Sequence, residues 1–439
     1  MKKNFMYSLG ALCLGLMLFS CKSNRGNGQL IGVQERPKWT NIQPYGMNYV
    51  KAGHLYVGQA DEDVNLSLYQ KPKSVTIAGF YMDETEITNN EYRQFVYWVR
   101  DSIAHVALDH MWEAPNGESR IDWDNYGVDY SAQNPESEDL EFMYYDEANR
   151  INGKREIDVR KLIYRWDWVD LKKAAKMPRE EAYNRRAELV QRDSAMIYPD
   201  TLVWMRDFEY AYNEPMTEGY FNHPAYDDYP VVGVTWKQAK AFSQWRTRLW
   251  EDNIGGTANR SKGGKKGKRR AGIYNEIPEF RLPTEYEFEY AARGGRVSTT
   301  YPWGLNYIRN SKGCLLANFK PGRGDYAEDG GFYTVQVAHY NPNDYGLYDM
   351  SGNVSEWTES AFIENAHSFI HDMNPSVTYN AEDEDPTTWK RKVVRGGSWK
   401  DIAYYLQTGV RDYEYQDTSK SYIGFRTVMA FPGRSLTDR

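Results

Sequence analysis

Cysteine is scarce in this chain of 439 residues, which contains only Cys13, Cys21 and Cys314. Cys13 lies inside an apolar N-terminal run and Cys21 directly follows it, so Cys314 would be alone in a mature exported chain. A single remaining cysteine cannot form an intramolecular disulfide. The sequence therefore predicts a domain stabilised by packing, with or without a bound metal ion.

A surplus of basic residues is also missing. The chain has 54 Lys and Arg against 61 Asp and Glu, which gives a formal net charge of −7. Broad nucleic-acid binding depends on a basic footprint, so the composition argues against this class of function. The strongly basic run Ser261–Arg270 is predicted to be a flexible, solvated surface loop.

Histidine is rare as well, with 7 in the whole chain and none within a metalloprotease or hydrolase motif. His367 and His371 are separated by a spacing that can place two side chains on one helix face. No neighbouring motif completes a metal site, so both are predicted to be surface histidines.

Long apolar segments are absent after residue 20, and no later run reaches the ~18 residues that a membrane-spanning helix needs. Residues 1–20 combine a basic start with a short apolar run, which is typical of a signal peptide. The letters LFSC end at Cys21 and match a lipobox, in which the cysteine thiol is acylated and then anchors the chain. We predict lipidation of Cys21 and a flexible lipidated tether over residues 21–43. An ordinary signal peptide with a chance cysteine, or an N-terminal anchor, is the alternative.

Aromatic residues, in contrast, are abundant. The chain has 36 Tyr, 14 Trp and 16 Phe, and aromatic residues make up 15% of it. Tyrosine and tryptophan bury a large apolar body while keeping a polar edge that can form hydrogen bonds. This composition favours a loop-rich fold or a surface that binds another molecule.

Local patterns predict strands near the start of the domain and three capped helices. The strand-like stretches GMNYVKAGHLYVG and SVTIAGFYMDETEIT begin at Gly46 and Ser74. Capping-box sequences begin at Thr88, Thr235 and Thr284, each followed by apolar residues at helical spacing. Beyond about residue 300 the many Gly, Asn, Pro and Asp residues predict little regular structure.

A long polar and aromatic segment, at about residues 101–215, separates the first and second of these helices. Its mixed-charge stretch Leu171–Arg192 is rich in Lys, Arg, Glu and Ala, which predicts a helix with solvated faces. We interpret the segment as a helical, polar insertion into one domain that spans residues 44–439.

Several phrases occur in an order that resembles the formylglycine-generating enzyme, or sulfatase-modifying factor, family. They are PVVGVTWKQAKAFSQW, RLPTEYEFEYAARGG, YPWG, YGLYDMSGNVSEWTES, VVRGGSWKD and GFRTV. The resemblance runs from about Gly46 to Phe431 and is interrupted by residues 101–215. It implies an α+β fold related to the C-type lectins, with low regular secondary structure.

The resemblance also identifies a chemical difference. Active members of the family convert a substrate cysteine to formylglycine with copper held by two thiolates that follow a Gly-Gly-Ser-aromatic turn. The matching positions here are Asp401 and Leu406. Neither side chain is a soft thiolate ligand, and leucine has no metal-binding atom at all. The resemblance therefore implies a non-catalytic member with no catalytic cofactor.

Structural calcium is a further implication of the family resemblance. The positions that match one calcium site are Asn318 and Asp329, and those that match the other are Asn353 and Glu356. Hard oxygen ligands on tight turns suit this ion. The alternative for each pair is a set of turn residues that bind only the backbone. Gly331 is an extra residue relative to the usual Asp-Gly-Phe of the first site.

Other phrases resemble a narrower family, the GldK/PorK-type lipoproteins of gliding motility and type IX protein secretion. They are GQLIGVQERPKWTNIQPYGMNYVKAGH, YMDETEITNNEYRQFVYWVRDSIA, YPDTLVWMRDFEYAYNEPM and YFNHPAYDDYPVVGVTW. This resemblance implies a lipid-anchored outer-membrane protein that faces the periplasm. It also implies a homo-oligomeric ring with a GldN/PorN-type partner and contact with a PorG-type outer-membrane protein, without nucleic acid.

Three other interpretations stay open at the level of the sequence. One is the related lipoprotein GldJ. Another is a glycan- or peptidoglycan-binding lipoprotein, which the lectin-like fold and the aromatic content favour. The third is an enzyme that uses Cys314 or a site without a known motif.

Overall fold

The computed structural model describes residues 42–58, 72–113, 117, 119–131, 137–178, 188–208, 214–259, 278–322 and 324–433. The predicted signal peptide, the predicted acylation site Cys21, most of the predicted tether and the basic run Ser261–Arg270 lie outside these ranges. Within the described ranges, no helix is both long enough and apolar enough to cross a membrane. Residues Ile42–Gly433 group into one compact unit.

Six α-helices occur in the described residues, and three of them are long enough to organise the fold. They are α1 Asn89–Ala107, α2 Leu171–Lys176, α3 Val203–Asp207, α4 Pro215–Gly219, α5 Trp236–Asn259 and α6 Glu285–Ala292. The three long helices α1, α5 and α6 are those that the capping boxes predict.

Each predicted capping box is present and reciprocal. At α1 the Thr88 hydroxyl accepts from the Glu91 backbone N–H at 3.2 Å, and the Glu91 carboxylate accepts from the Thr88 N–H at 2.9 Å. Thr284 and Glu287 repeat this pair at α6. At α5 the partner of Thr235 is the side-chain amide of the glutamine three residues on. Each box satisfies two backbone donors that a helix start would leave unpaired.

The described strands form two four-stranded sheets and three hairpin-like pairs. In chain order they are β1 Met47–Val50, β2 Gly53–Val57, β3 Lys73–Ile77, β4 Phe80–Asp83, β5 Met111–Glu113, β6 Ser119–Ile121, β7 Ile163–Val169, β8 Val190–Met196, β9 Phe280–Arg281, β10 Ser355–Ala361, β11 Arg391–Arg395, β12 Asp412–Tyr415, β13 Ile423–Gly424 and β14 Val428–Ala430. The larger sheets have the orders β1-β4-β14-β9 and β12-β11-β10-β13, and the two-stranded pairs are β2-β3, β5-β6 and β7-β8. All pairs are antiparallel except β10 with β13. The architecture is α+β, as predicted.

Regular structure is sparse in the described residues after about residue 300, which confirms the prediction. Between the end of α6 and the start of β10 the described residues contain no helix or ladder strand, apart from an isolated bridge between Arg309 and Leu315. Side chains instead satisfy the backbone of this region. Asn343, for example, accepts from the N–H groups of Tyr345 and Leu347 at 3.0 and 3.2 Å.

The segment 101–215 matches the prediction of a helical insertion with solvated faces only in part, because it also contains strands and one of its faces is buried. Within the predicted helix Leu171–Arg192, the described residues are helical at α2 and at residues 188–189, and Val190, Gln191 and Arg192 belong to strand β8. Residues 179–187 of the predicted helix lie outside the described ranges. Strand β7 alternates in burial, with Tyr164 and Trp166 inward and their neighbours outward. Charged residues on the outward face concealed this period-2 pattern from the sequence analysis.

This segment belongs to the main hydrophobic core. Tyr164 and Trp166 of β7 share a core with Phe95 of α1 and Trp245 of α5, and the ring centroids of Phe95 and Tyr164 are 5.4 Å apart. Burial of aromatic side chains is a dominant stabilising term in folding. The segment is therefore part of the folded body rather than a solvated appendage.

Candidate functional site

The Gly-Gly-Ser-Trp turn follows β11 and has a conformation that requires its glycines. Gly396 and Gly397 have φ values of 89° and 67°, in the left-handed region. A Cβ at Gly397 would lie 2.8 Å from the Tyr405 carbonyl oxygen, which no side chain tolerates. The Asp401 carboxylate closes the turn, because it accepts from the Ser398 N–H at 3.0 Å and from the Ser398 hydroxyl at 2.5 Å.

Leu406, the second position of interest, is a core residue. Its side chain is fully buried in a cluster with Tyr301, Leu315 and Phe319. Its carbonyl oxygen accepts from the Ser351 hydroxyl at 2.7 Å. Both positions that match thiolate ligands thus serve the fold.

The space beside this turn is very small. A cavity of about 10 Å³ is lined by residues that include Gly397, Asp401, Tyr405 and Asp412. That volume accommodates roughly one water molecule. Cys314 is exposed and is not part of this lining, and its N–H donates to the Asn310 side chain at 3.0 Å. The lining of this cavity contains no thiol, and the cavity itself is too small for a substrate peptide.

Asn318 and Asp329 lie close together on buried turns. Asn318 donates from Nδ2 to the Tyr333 carbonyl at 2.8 Å, while its Oδ1 has no hydrogen-bond partner among the described residues. The Asp329 carboxylate accepts from the N–H groups of Phe319 and Gly331 at 2.7 and 3.3 Å, and burial raises its pKa. A Cβ at Gly331 would lie 3.1 Å from Asn318 Oδ1. An unpaired buried oxygen beside a carboxylate fits a hard cation such as calcium.

The side chains of Asn353 and Glu356 are both engaged by protein partners. Asn353 Oδ1 accepts from the Val335 N–H at 2.9 Å, and its Nδ2 donates to Glu86 at 2.7 Å. The Glu356 carboxylate is held by the guanidinium of Arg426, with an Nη2–Oε1 distance of 2.7 Å and both side chains fully buried. The positive charge that Glu356 needs is already supplied by Arg426, so this pair does not fit calcium.

The structure also brings together Asn318 of the first predicted calcium site and Asn353 of the second. Asn318 Nδ2 lies 3.3 Å from Asn353 Oδ1. The same network includes Glu86, which lies near the start of the domain. Its carboxylate accepts from the Asn353 side chain and from the Val354 N–H at 3.2 Å. These asparagines therefore join distant loops by direct hydrogen bonds.

A buried acidic cluster around Arg426 was missed by the sequence analysis. Besides Glu356 it contains Glu86 and Asp349, both buried. Burial raises the pKa of Asp349 to about 6, and burial together with Asp349 raises the pKa of Glu86. Asp349 accepts from the Ala338 N–H at 2.7 Å through one oxygen, and its other oxygen has no partner among the described residues.

No sequence pattern reveals this cluster, since its members meet only through the tertiary fold. Within the described ranges, no group of three or more His, Cys, Asp or Glu side chains is arranged to hold a metal ion.

His367 is buried, which corrects the prediction of a surface histidine, whereas His371 is exposed as predicted. The His367 ring packs against Tyr286 with centroids 5.9 Å apart, and burial lowers its pKa. His371 accepts from the Met373 N–H at 3.1 Å through Nδ1. The difference arises because the short 3₁₀ turn Ala366–Ser368 packs against α6 rather than extending as a helix.

Comparison with known families decides the family of the chain. The family of the sulfatase-modifying factor enzyme 1-like domain matches residues 34–431. The chain belongs to this family.

Some curated relatives of this chain are named formylglycine-generating enzymes, and others are named inactive forms of that enzyme. It is 33% identical over 206 residues to inactive C-alpha-formylglycine-generating enzyme 2 of Bos taurus, covering 45% of this chain and 50% of that protein. It is 32% identical over 212 residues to the formylglycine-generating enzyme of Mycobacterium tuberculosis, covering 46% and 57%. The chain thus spans about half the length of the curated relatives it matches.

Among solved structures, the chain is similar to PvdO from Pseudomonas aeruginosa. The TM-score is 0.43 at 17% identity, with 88% of this chain and 94% of that chain covered. The family match and the sparse, mixed sheets described above agree on the predicted α+β fold. One of these relatives is named an inactive C-alpha-formylglycine-generating enzyme, so a fold of this family does not by itself imply formylglycine-generating activity.

Proposed function

We propose that this chain is a non-catalytic, structural lipoprotein of the outer membrane that serves the type IX secretion or gliding motility machinery. The observation that carries the non-catalytic part is the use of Asp401 and Leu406 by the fold. Asp401 closes a turn and Leu406 fills a core, so neither position is available to a metal. The secretion role is supported by the resemblance of the phrases that are specific to GldK/PorK-type lipoproteins.

The absence of formylglycine chemistry is tested with a cysteine-containing substrate peptide, copper and oxygen. We expect no oxygen consumption above a control without protein, because two thiolates are needed to hold the copper. An active formylglycine-generating enzyme run in parallel shows that the assay works. Peptide-dependent oxygen consumption that survives Cys314→Ser would defeat the non-catalytic assignment.

Lipid anchoring rests on Cys21 and is tested by the variant Cys21→Ser. We expect the wild-type chain in the outer-membrane fraction and the variant in the soluble periplasmic fraction, because acyl chains supply the membrane affinity. Membrane retention of the variant without labelling by palmitate would favour an N-terminal anchor instead.

Ring assembly needs a contact between two different surfaces that closes on itself. We assign part of this contact to the pair β7-β8. Ile163 and Met196 are directly opposite in its register and are 38% and 56% exposed. Adjacent exposed apolar side chains on a rigid sheet suit a protein interface. The partners proposed are further copies of this chain, a GldN/PorN-type protein and a PorG-type outer-membrane protein.

The assembly is tested by mild extraction of the native complex, followed by sizing and electron microscopy. Large closed rings that contain a second protein support the proposal. The double variant Ile163→Glu/Met196→Glu is expected to remain folded but to lose the rings. Val297→Glu/Leu305→Glu, at two exposed apolar positions in the loops after α6, is the matched control. Intact rings formed by the Ile163→Glu/Met196→Glu variant would show that β7-β8 is not the ring interface. A small wild-type particle without partners would show that the chain does not form a ring.

Structural calcium is proposed for Asn318 and Asp329 only. Calcium should raise the midpoint of thermal unfolding for the wild-type chain, since a ligand that binds the native state stabilises it. The variant Asn318→Ala should lose this increase, whereas Asn222→Ala, at an exposed asparagine, should keep it. A wild-type midpoint that is equal with calcium and with a chelator removes the ion from the proposal.

A further inference from the structure

A wide groove lies between the end of α1, the pair β5-β6 and the middle of α5. Its volume is about 1430 Å³, and its lining includes Trp98, Trp112 and Trp123. Drug-sized ligands occupy roughly 300–1,000 Å³, so this groove has room for a chain of linked units. Val106, Met111 and Ile121 supply its aliphatic lining, and the other lining residues are tryptophans or polar residues.

Trp123 is held in a fixed orientation although it is 43% exposed. One side of its ring stacks on Trp98, with centroids 5.6 Å apart and planes at 29°. The His105 ring meets it edge-on at 4.8 Å. The exposed part of this pre-oriented ring belongs to the lining of the groove. Such preorganisation lowers the entropic cost of binding.

Trp112 provides a second flat surface on the pair β5-β6. It is 45% exposed and lies directly opposite Arg120 in the strand register. Cross-strand partners point to the same side of a sheet. The groove therefore presents a second indole on the same side of the strand pair as Arg120.

The polar side chains of the groove are also fixed. The Asp122 carboxylate accepts from the Asn125 side chain at 2.7 Å and from the Asn125 N–H at 3.2 Å, and this hydrogen bonding lowers the pKa of Asp122. Asp122 stays ionised and retains lone pairs for further donors. Arg248, on the opposite wall, lies over Trp98 at 5.7 Å.

The charge of the groove limits the ligand. The lining carboxylates are Asp122, Asp124, Glu251 and Asp252, and the lining guanidinium groups are Arg120 and Arg248. An excess of carboxylates repels a sulfated or phosphorylated polymer. Hydroxyl groups, in contrast, donate to carboxylates and accept from guanidinium groups without bringing a charge.

We propose that this groove binds a neutral chain of β-linked hexopyranoses. Equatorial substituents leave one face of each sugar ring covered by C–H groups, which matches the flat indoles of Trp112 and Trp123. The ring of hydroxyls around that face meets Asp122, Asn125 and Arg248. This inference concerns a separate surface and does not depend on the secretion role.

Calorimetric titration of the full-length protein tests the groove, with cellotetraose and tetra-N-acetylchitotetraose as probes. The protein is kept in an amine-oxide detergent, because detergents with sugar headgroups would compete. We expect saturable binding of at least one probe. Trp112→Ala and Trp123→Ala should each weaken it about tenfold, the size of effect expected when a well-packed aromatic contact is lost.

Trp389→Ala is the matched control, since Trp389 is an exposed tryptophan far along the chain that does not line the groove. It should bind like the wild type. Trp112→Ala is the decisive variant if Trp123→Ala lowers the unfolding temperature through its contacts with Trp98 and His105. Absence of binding at millimolar probe, equal affinity in the Trp112 variant, or tighter binding of a sulfated tetrasaccharide overturns the proposal.

Discussion

At the scale of single residues, Leu406 shows how a lost ligand position can be reused. In active members of the family a cysteine thiolate at this position would bind the metal. Here the leucine side chain packs in a cluster with Tyr301, Leu315 and Phe319. We expect Leu406→Ala to lower the free energy of unfolding by about 2–5 kcal/mol, because it leaves a cavity in a packed core.

Denaturant titration measures this change. Ile402→Ala is its control, since Ile402 is exposed and lies a few residues before Leu406. The control should change stability by no more than about 0.5 kcal/mol. Equal losses in the two variants would show that Leu406 is not a core residue in solution.

Asp349 carries a second prediction at this scale. Its folded-state pKa is raised from 3.8 to about 6, so the folded chain binds a proton more tightly than the unfolded chain does. The destabilisation is full above pH 6 and is relieved as the pH falls towards 4. We expect the unfolding midpoint to rise as the pH is lowered from 7 to 5. Asp349 contributes about 1 kcal/mol to the change between pH 7 and 5.

The variant Asp349→Asn separates this group from the others, because an amide does not titrate. Its unfolding midpoint should vary less with pH over the same range than that of the wild type. The measurement is thermal unfolding at several pH values and constant ionic strength. Identical pH profiles for the two proteins would assign the effect to Glu86 or to another group.

At the scale of elements, the capped helices were predictable and the pair β7-β8 was not. A capping box is a local device, in which Thr88 and Glu91 are three residues apart and satisfy each other's backbone donors. The inward face of β7 consists of Tyr164 and Trp166, and arginine and aspartate stand between and beside them. Its burial depends on α1 and α5, which lie far away in the sequence. A local pattern cannot report that packing.

Trp166 tests whether this pair belongs to the core. We expect Trp166→Ala to destabilise the chain by about 3–5 kcal/mol, as is usual for a buried aromatic residue. Its neighbour Arg165 points outward on the same strand, so Arg165→Ala is the control and should be nearly neutral. Chemical denaturation followed by circular dichroism compares the two. A solvated appendage would instead give two nearly neutral variants.

The packing of this segment into the core determines which variants can test ring assembly. Deleting residues 140–195 would remove Leu140, Tyr144 and Tyr164 from the main core. We expect such a deletion to unfold the domain, so loss of rings in it would carry no information about an interface. Substitutions at exposed positions of β7 and β8 avoid this ambiguity.

At the scale of the whole molecule, Arg426 joins segments that are far apart in the chain. It pairs with Glu356 and also donates to the carbonyl oxygens of Asp83 at 3.2 Å and Tyr348 at 3.0 Å. The phrase GFRTV indicates family membership, but nothing in it reveals these partners. The fold class could therefore be read from phrases, whereas the buried charge network required the tertiary structure.

Arg426→Lys is expected to destabilise the molecule by about 3–5 kcal/mol, because an ammonium group cannot reproduce the fork of contacts around a buried carboxylate. Arg296→Lys is the control, since Arg296 pairs with Asp344 at the surface. The control should remain within about 0.5 kcal/mol of the wild type. Differential scanning calorimetry compares both, and equal midpoints would remove Arg426 from its central role.

The order β1-β4-β14-β9 has a mechanical consequence. The first described strand, Met47–Val50, and the last, Val428–Ala430, are both paired with β4. A pulling force applied between the two ends of the described unit would be carried by these two ladders and would bypass the rest of the domain. Strands in a sheet are about 4.8 Å apart, so the two attachment points are close together. A load applied between these two ends would thus be borne by the two ladders of β4.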